Sequence, residues 1–438
     1  MQSATRPAWQ QFVIDGLEEV THGSWRYHAW MATLTFFMLL GSWAYSVQMR
    51  EGLIVTGMHD HVSWGLYISN FTFLVGVAAA AVVLVMPTYV LKDHDFSRAV
   101  LIGEAMAVAA LVMAISFVVV DVGGPARLWH MLPGLGLFNW PSSMLCWDIL
   151  VLNVYLVLNF SIPLYLLYSR YNDRSPNRKL YLPLVLLSIL WAVSLHLVTA
   201  FLYAGLPARP FWHTALMGPR FLATAFTAGP ALMILVLSVI RRNTPFQIRD
   251  VTIGKLSLVV TVAAQICLVM LVSEMFTEFY RSTHHGASAR YLYFGLAGHH
   301  ALVPWIWSAI AMNVAATGIL TVHRSRKTPV LLEVGCVLLF LGILIEKGVG
   351  TIIPGFIPEP WGKIHEYAPS WVEITVSAGI WAAGCFVFTV LAKTAIPIEL
   401  GERRYRATPN HSPSAVVAPT LVMPDGTPVA PPQSAPTA

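Results

Sequence analysis

The chain has 438 residues, of which 56% are hydrophobic and only 11% charged, with 27 Lys and Arg against 22 Asp and Glu. Soluble globular proteins carry about 25% charged residues, so most of the surface here does not face water, and no mixed-charge stretch is long enough to form a soluble domain. The net charge of +5 sits in short loops between apolar runs, a pattern that speaks for membrane topology and against a nucleic-acid partner.

Residues 1–28 are mixed polar and aromatic and lack the basic region, apolar core and small-residue cleavage site of a signal peptide, so they read as an N-terminal cytoplasmic segment. A hydrocarbon core of about 30 Å takes about 20 apolar residues per helix. Ten stretches qualify in chain order: 29–47, 65–91, 99–120, 145–168, 180–203, 221–240, 256–279, 301–322, 329–346 and 372–395. The expected fold class is therefore an all-α integral membrane protein with about ten transmembrane helices. Residues 407–438 hold eight prolines in 32 positions, too few apolar groups to build a core, and read as a disordered Pro/Ala-rich cytoplasmic tail.

Ten spans put both termini on one side of the bilayer. That side carries 19 of the 27 Lys and Arg, and the other carries 8. In a bacterial inner membrane the positive-inside rule makes the termini cytoplasmic. The loops on the opposite side are longer and hold Trp, His, Pro and acidic residues, so the working face is expected to be the outer, periplasmic one. Cys146, Cys267, Cys336 and Cys385 are scattered without a CxxC pair. Nothing in that spacing signals an iron–sulfur or zinc site in this chain.

An ionised group at the bilayer centre costs about 2.5–3.5 kcal/mol even on an insertion scale, so each needs a reason. Asp121 ends the third span in VVVDVGGPARLWH. It reads either as a proton acceptor tuned by Arg127 or as a helix-end carboxylate tied to that arginine. Where the second span enters the membrane, His61 and Trp64 precede Tyr67 and Asn70. Such donors and acceptors suit the oxygens of a quinone, while an aromatic interface belt is the alternative. His196 is the one histidine deep in a span, close in depth to Tyr203. Haem b needs paired ligands at matching depth, and no helical histidine pair is present, so a hydrogen-bonded structural histidine is expected. Glu346 and Lys347 read as interfacial charges at a helix end, and Glu104, Glu274 and Glu373 as costly carboxylates inside spans.

WGLYISNFTFLVGVAAAAV, VDVGGPARLWHML and IEKGVGTIIPGFIPEPWGKIHEYAPSWVEITVSAGIWA together resemble the NrfD/PsrC family of quinone-interacting membrane subunits, in the ten-helix branch that includes DsrP of the sulfur-metabolism complex DsrMKJOP and HybB of hydrogenase. The resemblance spans residues 25–405, with the membrane domain at 29–400. One arginine of the family's turn is Gly124 here. The resemblance implies two four-helix bundles plus extra helices, and a haem-free subunit that binds menaquinone or ubiquinone near the outer face. It also implies electron exchange with a docked periplasmic iron–sulfur, ferredoxin-like subunit, with a multihaem cytochrome c and further subunits as possible partners. Tyr67 and Asn70 then fall in the quinone pocket, with His61, Trp64, His196 and Tyr203 as neighbours by depth, and Asp121 as the proton relay. Two rival functions stand beside it: an ion-coupled transporter using Glu104, Asp121, Glu274 and Glu373, and a passive anchor for a periplasmic oxidoreductase.

Overall fold

A computed structural model describes residues 7–132, 134–280, 286–358 and 362–405; the proline-rich segment 407–438 lies outside the described residues. Ten helices among them are long and apolar enough to cross a membrane, and no β-strand occurs beyond two isolated bridges. The spans run Trp25–Glu51, Leu66–Tyr89, Ser97–Asp121, Met144–Tyr171, Arg178–Ala204, Met217–Asn243, Asp250–Tyr280, Val303–Thr321, Pro329–Phe356 and Trp371–Leu400. They are numbered here from first to tenth. The face that carries the chain ends is the terminal face, and the other is the opposite face.

Neighbouring spans assort into two groups. The second to fifth pack on one another as one four-helix bundle, and the sixth to ninth form another. The first and tenth spans pair with each other, and the tenth lies against the third. The second span is the hub, because it also touches the sixth span and the ninth. Every residue of its apolar window is buried, as expected for a helix that is hydrophobic all round. Its middle tightens into a 3-10 turn at Ala79–Ala81, where the sixth span comes so close that a Cβ on Gly229 would stand 2.5 Å from that of Ala80.

Glycine also sets the pairing of the outlying helices. A Cβ on Gly41 of the first span or on Gly379 of the tenth would meet the other's Cα at 2.7 Å. The backbones touch there, as small residues allow in helix pairs within membranes. Gly379→Leu is expected to separate the two spans, lowering the melting temperature of the detergent-solubilised protein and exposing the pair to proteolysis. An unchanged melting curve would show that this contact contributes nothing.

Before the first span lies a further helix, Ala8–Thr21, held against the bundle ends. Tyr171 donates to Asp15 at 2.7 Å and Arg403 to Glu19 at 2.8 Å. On the same face Arg249 bonds Asp95 at 2.5 Å and Lys255 reaches both Asp93 and Asp95, tying the loop after the second span to the seventh. The largest departure from the sequence expectation is the ninth span. The charged pair Glu346–Lys347 reads in the sequence as its end, yet the helix continues through a π turn, Leu344–Val349, to Phe356. Both side chains are buried, because Glu346 has partners on neighbouring spans.

Candidate functional site

The polar residues of the first bundle gather toward the opposite face. Tyr203 of the fifth span and Thr72 of the second share a hydrogen bond of 2.5 Å. One turn deeper, the Thr199 hydroxyl donates to Asp148 of the fourth span at 2.7 Å. Asp148, Thr199, Tyr203 and Thr72 are all buried. The second, fourth and fifth spans thus contribute to one polar core.

Above Tyr203 the rings of Trp64 and Trp212 stack at 5.8 Å and each packs on the phenol, at 5.8 and 5.6 Å. They line a cavity of about 310 Å³ together with Ser63, Arg209 and Phe356, at the low end of the ~300–1,000 Å³ usual for small-molecule sites. Its walls are largely aromatic. The Arg209 guanidinium lies 4.8 Å from the centre of the Phe356 ring, which leaves the cavity one fixed cation beside flat apolar surfaces.

Tyr67 faces the other way round the second span. It is fully buried and donates to Gln48 of the first span at 2.7 Å, while Gln48 donates to the Val120 carbonyl at 2.6 Å. The charges of Glu373 and Asp121 both act on its phenol. Gln48 carried no signal as a lone amide in an apolar run, and only its contact to Tyr67 reveals it. Asp121 is the last residue of the third span, and its Oδ1 is buried with no hydrogen-bond partner among the described residues. Arg127 sits on the 3-10 helix Pro125–Met131, exposed, and makes no ion pair with Asp121. The turn after Asp121 carries it away, so the expected pairing of the two is absent.

Asn70 is engaged by the tenth span: its Oδ1 accepts from Trp381 Nε1 at 2.9 Å and its amide donates to Leu66 O. His61 lies in the exposed loop before the second span, stacked on His365 at 4.0 Å with His59 at 5.9 Å from both. Burial, and then the neighbouring His365 and His61, hold the His59 imidazole below its ordinary value. His196 is fully buried and bonds the Ala192 carbonyl through Nδ1 at 2.9 Å, while Nε2 has no partner among the described residues. The six expected quinone neighbours therefore divide: Trp64 at the cavity with Tyr203 buried beneath it, His196 deeper on the helix of Tyr203, Tyr67 and Asn70 toward the first and tenth spans, and His61 at the surface.

Glu373 turns out to be an anchor. It accepts from Gly57 N, Ser370 N and Tyr367 Oη at 2.6, 3.0 and 2.5 Å, closing a capping box at the start of the tenth span. Burial, followed by the charge of Glu373, pushes the Tyr367 phenol above its ordinary value, so it remains a donor. Glu274 and Glu346 both pair with Arg220 of the sixth span. These three residues bind the second bundle together rather than lining the cavity. Among the described residues no three His, Cys, Asp or Glu side chains converge as a metal-binding set.

Comparison with known proteins bears on what such a bundle pair serves. Residues 54–354 match the family described as polysulphide reductase, NrfD. The chain belongs to the NrfD family. A relative from Halobacterium salinarum, named as a putative membrane subunit of dimethyl sulfoxide reductase, is 24% identical over 394 residues, covering 82% of this chain and 88% of that protein. A selenate reductase subunit of Mesobacillus selenatarsenatis is 22% identical, covering 82% and 92%. The integral membrane subunit of menaquinone reductase from Nitratidesulfovibrio vulgaris is 24% identical, covering 83% and 90%. Two of these relatives are named as membrane subunits of reductases and the third as a reductase subunit.

Proposed function

We propose that this NrfD-family chain is the quinone-interacting membrane subunit of a respiratory complex of sulfur-compound metabolism, set in a bacterial inner membrane with its termini cytoplasmic and its opposite face periplasmic. It binds menaquinol in the cavity beside Trp64 and exchanges electrons with an iron–sulfur subunit docked over that face. The observation that carries the reading is the aromatic cavity whose Trp64 and Trp212 pack on the Tyr203 phenol, with the Tyr203–Thr72 pair and the buried Asp148 below it. Trp64 and Phe356 present aromatic surface to a flat ring in this cavity, and Ser63 and Arg209 present polar groups for a ring oxygen. The name of the menaquinone reductase relative favours menaquinone over ubiquinone.

Oxidation of a quinol releases two electrons and two protons. The electrons would pass to the partner's cluster. Asp121 supplies a proton acceptor, because a buried carboxylate oxygen without a donor has a lone pair to offer. Tyr67 of the second span, held by Gln48, is the intermediate hydroxyl in this reading.

The cavity assignment is tested by binding. Trp64→Ala removes one aromatic wall and is expected to weaken a short-chain menaquinone analogue about tenfold, in line with ~1.5 kcal/mol for a lost aromatic pair. Titration of the analogue against the purified complex reads the effect. Equal affinity in the variant would place the quinone elsewhere, and no binding by the parent complex would favour a passive anchor.

A further inference from the structure

The helix that precedes the first span, Ala8–Thr21, divides its surface into three arcs. At 3.6 residues per turn, Phe12, Asp15, Gly16 and Glu19 share one side, and each of them meets the bundle. Phe12 packs edge-on against Tyr168 and Tyr171 of the fourth span at 5.5 and 5.3 Å. Asp15 accepts from Tyr171 and Glu19 from Arg403, and a Cβ on Gly16 would lie 3.1 Å from Thr394 Cγ2. Trp9, Val13 and Leu17 recur every four residues on a second arc and are 59%, 50% and 62% exposed. Gln11 and Glu18 fall on the third, nearly opposite the second.

Thr394 fixes the depth of this helix. It lies six residues before the tenth span ends at Leu400, about 9 Å along the axis, so the helix runs along the side of that span rather than across its tip. The neighbouring Lys393 marks this level as the headgroup region: its ammonium sits 4.7 Å from the centre of the Tyr27 ring, and lysines near span ends hold their charge at the interface. Tyr27 donates in turn to the Val20 carbonyl at 2.8 Å, which joins the helix closely to the start of the first span. There Trp25 is exposed and Trp30 donates to Thr389 at 3.2 Å, so aromatic side chains that favour the membrane interface stand beside the apolar arc. On the other side Glu18 reaches Arg403 at 3.1 Å. Arg403 lies three residues past the end of the tenth span, so the polar arc points away from the membrane.

We propose that Ala8–Thr21 is an in-plane membrane anchor, with Trp9, Val13 and Leu17 seated in the boundary between headgroups and acyl chains of the leaflet at the terminal face. The occupant of this surface is phospholipid. Three observations select it over a protein partner: the arc lies against the side of a span, it is continuous with the exposed apolar surface of the first span, and the polar arc is turned the opposite way. An amphipathic helix of this kind binds through its buried apolar area, and the bundle-facing arc passes that hold to the ends of the fourth and tenth spans. None of these residues lines the cavity beside Trp64, so the inference stands apart from the quinone function.

The test is photo-cross-linking of the whole complex in its own membranes. p-Benzoylphenylalanine replaces Leu17, Glu18 or Leu39 in turn, all three exposed; Leu39, on the first span and 67% exposed, is the lipid reference. After irradiation, mass spectrometry of the chain reads its adducts with phospholipid and with protein. The Leu17 position is expected to give lipid adducts within about threefold of the Leu39 position and at least about fivefold above the Glu18 position, as the two sides of an interfacial helix should differ. Adducts at the Leu17 position mainly to another subunit would make the arc a protein-docking surface, and adducts to a second copy of this chain would make it a dimer interface. Equal lipid yields at the Leu17 and Glu18 positions would put both sides of the helix in the same medium. Each of these three results overturns the proposal.

Discussion

Asp121→Asn is expected to lower quinol-dependent reduction of the partner subunit about 100-fold or more, the usual weight of a positioned proton acceptor, while the affinity for a menaquinone analogue changes less than twofold. The substitution keeps the size and shape of the side chain and removes only its capacity to take a proton. Asp121 ends a buried helix, and its Oδ1 has no donor among the described residues, so the wild-type carboxylate is not consumed by structure. Glu373, by contrast, has three donors and serves the first turn of the tenth span. Arg127→Gln provides the control: exposed and unpaired with Asp121, it is expected to alter the rate less than twofold. Steady-state turnover and analogue titration on the same preparations separate kcat from binding. A turnover in Asp121→Asn equal to wild type would remove Asp121 from the mechanism.

The architecture was legible because apolar run length reports a membrane span almost directly. Nine of the ten spans lie where the runs put them, seven of them lengthened at their ends and the second and eighth slightly shortened. The ninth run stops at Glu346 in the sequence because a charged pair normally marks an interface. What keeps it buried is Arg220 and Asn313 on other helices, partners more than 30 residues away that no local pattern discloses. The same reason hid Gln48. Trp64 and Tyr203 could be placed by depth alone and do meet, whereas Tyr67 and Asn70 turn toward the first and tenth spans. Depth along a helix is written in its sequence, but azimuth depends on which helices pack around it. Composition says nothing of that packing where all sides are apolar.

Arg220→Met carries the largest expected cost in stability, about 3–5 kcal/mol, because it leaves the buried Glu346 and the largely buried Glu274 without their counter-charge. Glu346 would keep only the Asn313 amide, and Glu274 would keep no cation. With unfolding entropy scaling with chain length, that cost corresponds to a fall of about 3–5 °C in the melting temperature of the solubilised protein. The triple variant Arg220→Met, Glu274→Gln, Glu346→Gln decides between two physical accounts. If the network stabilises mainly by avoiding unpaired charge, the triple variant recovers most of the lost stability, since neutral amides are far less costly to bury. If it instead contributes a large net attraction across the sixth, seventh and ninth spans, the triple variant stays as unstable as Arg220→Met. Recovery is the expected result, because taking charges of this kind out of water offsets much of their mutual attraction.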